Sequence, residues 1–168
     1  APVNPYWKHS ETQAIYPAKM LKMKKGMKIT RIEYRGWTPG GIDLKAKLWI
    51  ENTAESNEEG VALGDTTKMQ LIFDDVIHFA DDIQVGSPTE PATLFTVDIP
   101  EGFVYTGENI RIAGRGDVLS SGSTAISYVV DNNEIKTTFY RSSDSSVEGK
   151  DWSRVYNTTV LYLTAEYK

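Results

Sequence analysis

Strict alternation of apolar and polar side chains across Leu44–Glu51 constrains this chain more than any other feature. Leu44, Ala46, Leu48 and Ile50 alternate with Lys45, Lys47, Trp49 and Glu51. A period of two puts one set on a buried face and the other in water, so the segment reads as a β-strand at the border of a core. A second run lies upstream of Thr38-Pro39-Gly40-Gly41, with Ile32 and Tyr34 facing one way and Arg31, Glu33 and Arg35 the other. Together the two runs read as the opening of an antiparallel sheet with one solvated side.

Similar runs recur down the chain. Met69–Phe79 is strand-like, and Asp74-Asp75 is expected to interrupt it with a bulge or tight turn. Leu94–Ile99 alternates, Pro100-Glu101-Gly102 turns into Phe103–Tyr105, and Thr106-Gly107-Glu108 turns into Asn109–Ala113. Ala125–Val130 and Ile135–Tyr140 predict a hairpin about Asp131-Asn132-Asn133, and Val160–Tyr167 a closing strand. Ala18–Lys25 is the best helix candidate, with Pro17 in its first turn and Gly26 to end it. It is too short to hold without packing on the sheet. The five lysines of Lys19–Lys28 read as its solvated face.

This spacing predicts an all-β fold, an antiparallel sandwich of about eight or nine short strands with one short helix near the N-terminus. Residues 1–13 read as an arm and residues 14–168 as one domain, long enough to bury a core. A net charge of −5 argues against a general nucleic-acid surface. No apolar run approaches the roughly 18–20 residues of a membrane span, so no membrane insertion is expected. Cysteine is absent, which excludes thiolate zinc sites, thiol nucleophiles and disulfides. Nothing at Ala1 resembles an export leader, so any such signal is expected to lie outside this stretch or to have been removed.

Ala14-Ile15-Tyr16-Pro17-Ala18, then Lys25-Gly26-Met27-Lys28-Ile29-Thr30-Arg31-Ile32, then Leu44–Thr53 and finally Phe103-Val104-Tyr105-Thr106-Gly107-Glu108-Asn109 follow one another in order. That series resembles a family of secreted jelly-roll modules in surface proteins of Bacteroidetes, similar to galactose-binding and cleaved-adhesin domains. The resemblance implies a jelly-roll β-sandwich, secreted or at the cell surface, beside neighbouring domains of a larger protein. Such modules are commonly appended to peptidases, glycan-degrading enzymes or adhesins. Their motifs are structural and carry no catalytic residues.

The remaining chemistry points the same way. No Gly-x-Ser-x-Gly elbow, P-loop or His-Glu-x-x-His occurs. The abundant serines of Ser142–Ser146 have no identifiable base, and no enzyme activity is expected. His9 and His78 cannot build a histidine-rich metal site, and His78, in an apolar run, is expected to be packed. Asp74, Asp75, Asp81 and Asp82 offer carboxylates for glycosidic cleavage or oxygen ligands for a structural Ca²⁺. Adjacent aspartates read first as capping and turn residues, so no cofactor and no dedicated metal site is predicted. Arg115-Gly116-Asp117 matches the integrin tripeptide, but Gly114 and Gly116 are already accounted for by an expected turn. Asn157-Thr158-Thr159 is a glycosylation sequon that reads as strand entry.

Aromatic residues carry the stronger signal. Trp49 falls on the polar face of its strand, Trp37 sits at a strand end, and Trp152 follows the loop Ser142–Lys150 that Arg141 opens. An exposed ring offers an apolar plane to a sugar while polar neighbours bond its hydroxyls. Trp37, Trp49, Arg141 and Trp152 are therefore the candidate ligand residues of a non-catalytic module recognising carbohydrate or glycoprotein. The competing expectation is a structural or protein-docking module in which the tryptophans cap the core and no small ligand binds.

Overall fold

A computed structural model describes residues 1–56, 63–120, 124–132, 138–155 and 157–167. Its strands are β1 (His9–Tyr16), β2 (Lys28–Trp37), β3 (Ile42–Thr53), β4 (Gln70–Phe79), β5 (Ala92–Val104) and β6 (Asn109–Val118), then β7 (Ser127–Tyr128), β8 (Val130–Asn132), β9 (Thr138–Ser143), β10 (Ser153–Val155), β11 (Asn157–Thr159) and β12 (Tyr162–Glu166). Among the described residues one α-helix, α1 (Ala18–Leu21), follows β1, and a single 3-10 turn spans Thr66–Lys68. The larger sheet runs β10-β9-β1-β6-β3-β4 and the smaller β12-β2-β5, with β7 on β2 and β8 paired to β11. All the strand pairings are antiparallel. The expected all-β, antiparallel class is what the chain adopts, with twelve strands among the described residues and several of them, such as β5 and β6, longer than the turn spacing suggested.

The alternation of Leu44–Glu51 reappears as burial. Leu44, Ala46, Leu48 and Ile50 are buried in the same core cluster as Ile32, Tyr34 and Val97 of the smaller sheet. The two sheets therefore face one another across a single core. Here the expected opening sheet is corrected. β2 and β3 do not pair with each other; β2 lies between β12 and β5, and β3 between β6 and β4. The link carries the chain from one sheet to the other, with Gly40 and Gly41 at positive φ. Gly41 N–H donates to Phe79 and Ala80 carbonyls, and Thr38 exchanges backbone bonds with Val85, so the link is tied to the end of β4 and the segment beyond it. Two strands with one apolar face each bury both faces by facing one another; a hairpin would have put both faces on one side.

Other expectations are corrected in the same way. β4 runs unbroken through Asp74 and Asp75, which lie opposite Lys47 and Ala46; the register shift falls between Leu48 and Trp49 instead. Pro100-Glu101-Gly102 does not separate two strands but forms a wide bulge inside β5, where Ile29 pairs Phe103 and Arg31 pairs Asp98. Val130 and Tyr140 belong to strands with different partners, so the expected hairpin is absent among the described residues; Asn133 and residues 135–137 lie outside them. The helix is one turn long and ends at Lys22, whose φ of 50° is left-handed. Gly26 then bonds Tyr105 across the fold, which replaces further helical bonding.

The stretch read as an arm is part of the fold. His9–Tyr16 is a central strand between β6 and β9, and Val3 is fully buried in the core cluster. Thr12 Oγ1 donates to Pro2 O at 2.6 Å and Tyr128 Oη to Val3 O at 2.6 Å. Gly114 and Gly116 sit in the middle of β6, not in a turn. A Cβ at Gly114 would stand 1.9 Å from Pro2 O, so glycine is needed there for the close approach of the N-terminal segment.

Candidate functional site

A cleft of about 350 Å³ opens at the β1, β9 and β10 side of the larger sheet, against the N-terminal segment. Its floor is built by alternation: Ser10 and Thr12 of β1, Thr138, Tyr140 and Ser142 of β9 and Val155 of β10 contribute from the core side of the sheet. Near the centre of the sheet the same face carries Ala14 and Tyr16, which are buried. Along β9 the cover thins, from Thr138 at 2% exposed to Tyr140 at 40%. The opposite wall is the segment Asn4–Trp7. Tyr6 N–H donates to Asn4 Oδ1 at 3.0 Å, a local turn that holds the next two rings out of the core. Tyr6 and Trp7 are 53% and 45% exposed and meet edge to face, 5.7 Å apart at 76°. Three exposed aromatic rings thus surround a cleft lined by hydroxyl and amide groups together with Ala1 and Arg141.

Of the residues expected from the sequence, Arg141 lines this cleft and the three tryptophans do not. Arg141 directs its guanidinium to the far side of the sheet, where Nη2 donates to Glu11 Oε1 at 3.0 Å and Nη1 to Lys150 O at 3.4 Å. Trp152 stacks on it, with the guanidinium carbon 4.8 Å from the ring centroid. Trp49 stands on that same outer face, half-buried, in register with Ala113 and Leu71. Trp37 is half-buried on the outer face of the other sheet, in register with Ser127. The fold brings Arg141 and Trp152 into contact, leaves Trp49 about three strand spacings away, roughly 15 Å, and separates Trp37 from all of them.

The outer face around Arg141 is a ladder of opposed charges. Glu11 pairs Arg141 and Arg115, and Arg115 also reaches Asp117 at 3.2 Å. His9 Nδ1 lies 2.7 Å from Asp117 Oδ1. Burial tends to raise the Asp117 pKa, but the His9 and Arg115 hydrogen bonds outweigh it and hold the carboxyl below its ordinary value. Ser143 is the register partner of His9 on the other side, so serine, histidine and aspartate lie in one row. The Ser143 hydroxyl, however, bonds Ser145 Oγ at 3.1 Å and accepts from Ser145 N–H at 3.1 Å, closing a loop turn. His78 faces outward too, with its side chain 64% exposed and Nδ1 2.5 Å from Asp43 Oδ1. The expectation of a packed His78 is corrected: Ile77 and Phe79 take the inward positions.

Arg115-Gly116-Asp117 is built into this ladder on a central strand rather than displayed on a loop. Asp74 and Asp75 are exposed on β4, and Asp81 and Asp82 follow it in a turn, with Asp82 at a left-handed φ of 56°. Among the described residues no group of three or more His, Asp or Glu side chains is placed to hold a metal ion. Asn157-Thr158-Thr159 forms β11, as read from the sequence. Tyr6 and Trp7 escape the sequence reading because the segment before β1 reads as an arm, and Tyr140 because it ends a run read as a hairpin strand. The available signal was an adjacent Tyr-Trp pair behind Asn4-Pro5, a turn dipeptide that lifts bulky rings away from a strand.

Comparison with protein-family models, with curated proteins and with solved structures found no match.

Proposed function

We propose that this chain is a non-catalytic recognition module that binds carbohydrate, free or on a glycoprotein, in the cleft between Tyr6-Trp7 and Tyr140. The observation that carries the reading is the three exposed aromatic rings around a cleft of about 350 Å³. Monomeric proteins rarely keep such rings in water around a concavity unless something covers them. Stacking on a ring face suits the apolar face of a pyranose, and the hydroxyl and amide lining suits its hydroxyls. The antiparallel sheets around one core support the reading of a sandwich, and the sequence resemblance supports reading it as a jelly-roll module of an exported or cell-surface bacterial protein beside other domains. Arg141 and Trp152 act in this reading as support for the floor, by fixing β9 to β1.

The test is a glycan-array and polysaccharide-gel screen with Trp7→Ala and Trp152→Ala beside the parent chain. Saturable binding that Trp7→Ala weakens at least about tenfold, roughly the contribution of one stacked ring, is expected. Trp152→Ala should weaken it less. Binding lost with Trp49→Ala but kept with Trp7→Ala would move the site to the outer face. No binding at all would favour the structural or protein-docking role.

A further inference from the structure

We infer that the cleft selects uncharged saccharides and discriminates against sialylated, uronate-bearing or sulfated forms of the same backbone. The inference rests on the recognition reading above and goes further, to the ligand's charge. Among the described residues, the lining contains no Asp, Glu, Lys or His, and its one charged side chain is Arg141; Ala1 also lines it, and burial lowers the pKa of its amine to about 5, so the amine is neutral at pH 7. That guanidinium is not offered to the cleft. Successive residues of a strand point to opposite faces, so Arg141 and Tyr140 project from opposite sides of β9. On its own side Arg141 is engaged by Glu11, by Lys150 O and by the face of Trp152.

The polar groups left to the ligand are neutral. Tyr140 and Ser142 contribute hydroxyls and Asn4 an amide. They suit sugar hydroxyls, each able to accept and donate. An anionic group brought against the rings of Tyr6, Trp7 and Tyr140 loses water and meets no cation in return, which is costly. The same neutrality means that binding is carried by stacking and neutral hydrogen bonds, with little ionic screening to lose.

The decisive experiment is titration calorimetry on matched pairs chosen from whatever neutral backbone leads the array. Each pair sets the neutral oligosaccharide against the same backbone carrying sialate, uronate or sulfate. The neutral member should bind at least about tenfold more tightly, with affinity changing less than about twofold between low and high salt. Ser142→Arg, which brings a cation to the floor, should narrow or invert the gap while leaving the far-ultraviolet spectrum unchanged. Tighter, salt-sensitive binding of the charged member, lost in Trp7→Ala, would overturn the inference and leave carbohydrate recognition standing. Absence of binding to both members would overturn both together.

Discussion

Of the four core tyrosines, Tyr16, Tyr34 and Tyr128 differ in what their hydroxyls meet. Tyr16 Oη donates to Thr159 O at 2.8 Å and Tyr128 Oη to Val3 O at 2.6 Å. Tyr34 is fully buried between Phe95 and Tyr128, and its hydroxyl has no hydrogen-bond partner among the described residues. An unmade bond on a buried hydroxyl costs more than its removal. Tyr34→Phe should therefore raise stability by about 1 kcal/mol in urea unfolding, whereas Tyr128→Phe should lower it by a similar amount. A loss in both would mean that Tyr34 has a partner after all. Burial pushes all three phenols above their ordinary value of 10.0. The folded state holds each phenol neutral, so this contribution is complete below about pH 10 and is lost as pH climbs above it. Thermal midpoints should fall between pH 9.5 and 11, by less in Tyr34→Phe; a midpoint flat over that range would contradict the burial. His78 shows what local pattern already contained. Ile77, His78 and Phe79 obey the period of two, but a run dense in apolar residues hides which member points outward.

At the scale of elements, segments that are remote in sequence hold each other's ends. Asn109 Oδ1 accepts from Ala18 N–H at 3.0 Å and its Nδ2 donates to Glu55 O at 3.0 Å, so the start of β6 caps the short helix. Gly26 N–H donates to Tyr105 O, and Tyr105 N–H to Met27 O, each at 2.8 Å. The recognisable stretches Ile15–Ala18 and Phe103–Asn109 are thus one structural joint. The N-terminal segment is a second joint. It crosses β1 and β6 where Ser10, Thr12, Gly114 and Gly116 leave room, and it ends in the cleft wall. Gly114→Ala drives a Cβ into a backbone oxygen at 1.9 Å, while Gly116→Ala meets Ser10 Oγ at 3.1 Å, an atom that rotates away. The first should cost about 1–3 kcal/mol and the second clearly less. Gly114→Ala should also weaken saccharide binding, since Trp7 follows the displaced Pro2–Asn4. Equal stability losses at both positions would refute this packing account.

Across the whole molecule, the order of strands is far from their order in the chain. β1 pairs with β6 and β9, so His9 meets Asp117 and Ser143, and β12 returns to pair with β2. Such pairings close long loops before they reward the chain, so folding should take milliseconds to seconds rather than microseconds in stopped-flow measurements. Amides of β6 and β3, each paired on both sides, should exchange most slowly in native-state hydrogen exchange, and those of the short strand β10 fastest. By itself the sequence determined the all-β class, most of the strands and which of their faces are buried, because alternation and turn residues act within a few positions of one another. It also supplied the candidates Arg141 and Trp152, which do meet. Which strands pair, that β2 and β3 face rather than adjoin, and that Tyr6 and Trp7 stand opposite Tyr140 were decided only by tertiary structure. An apolar face specifies that it must be covered and leaves open what covers it. That choice rests on how remote side chains fill a shared volume, as Val3 fills the space left by Gly116.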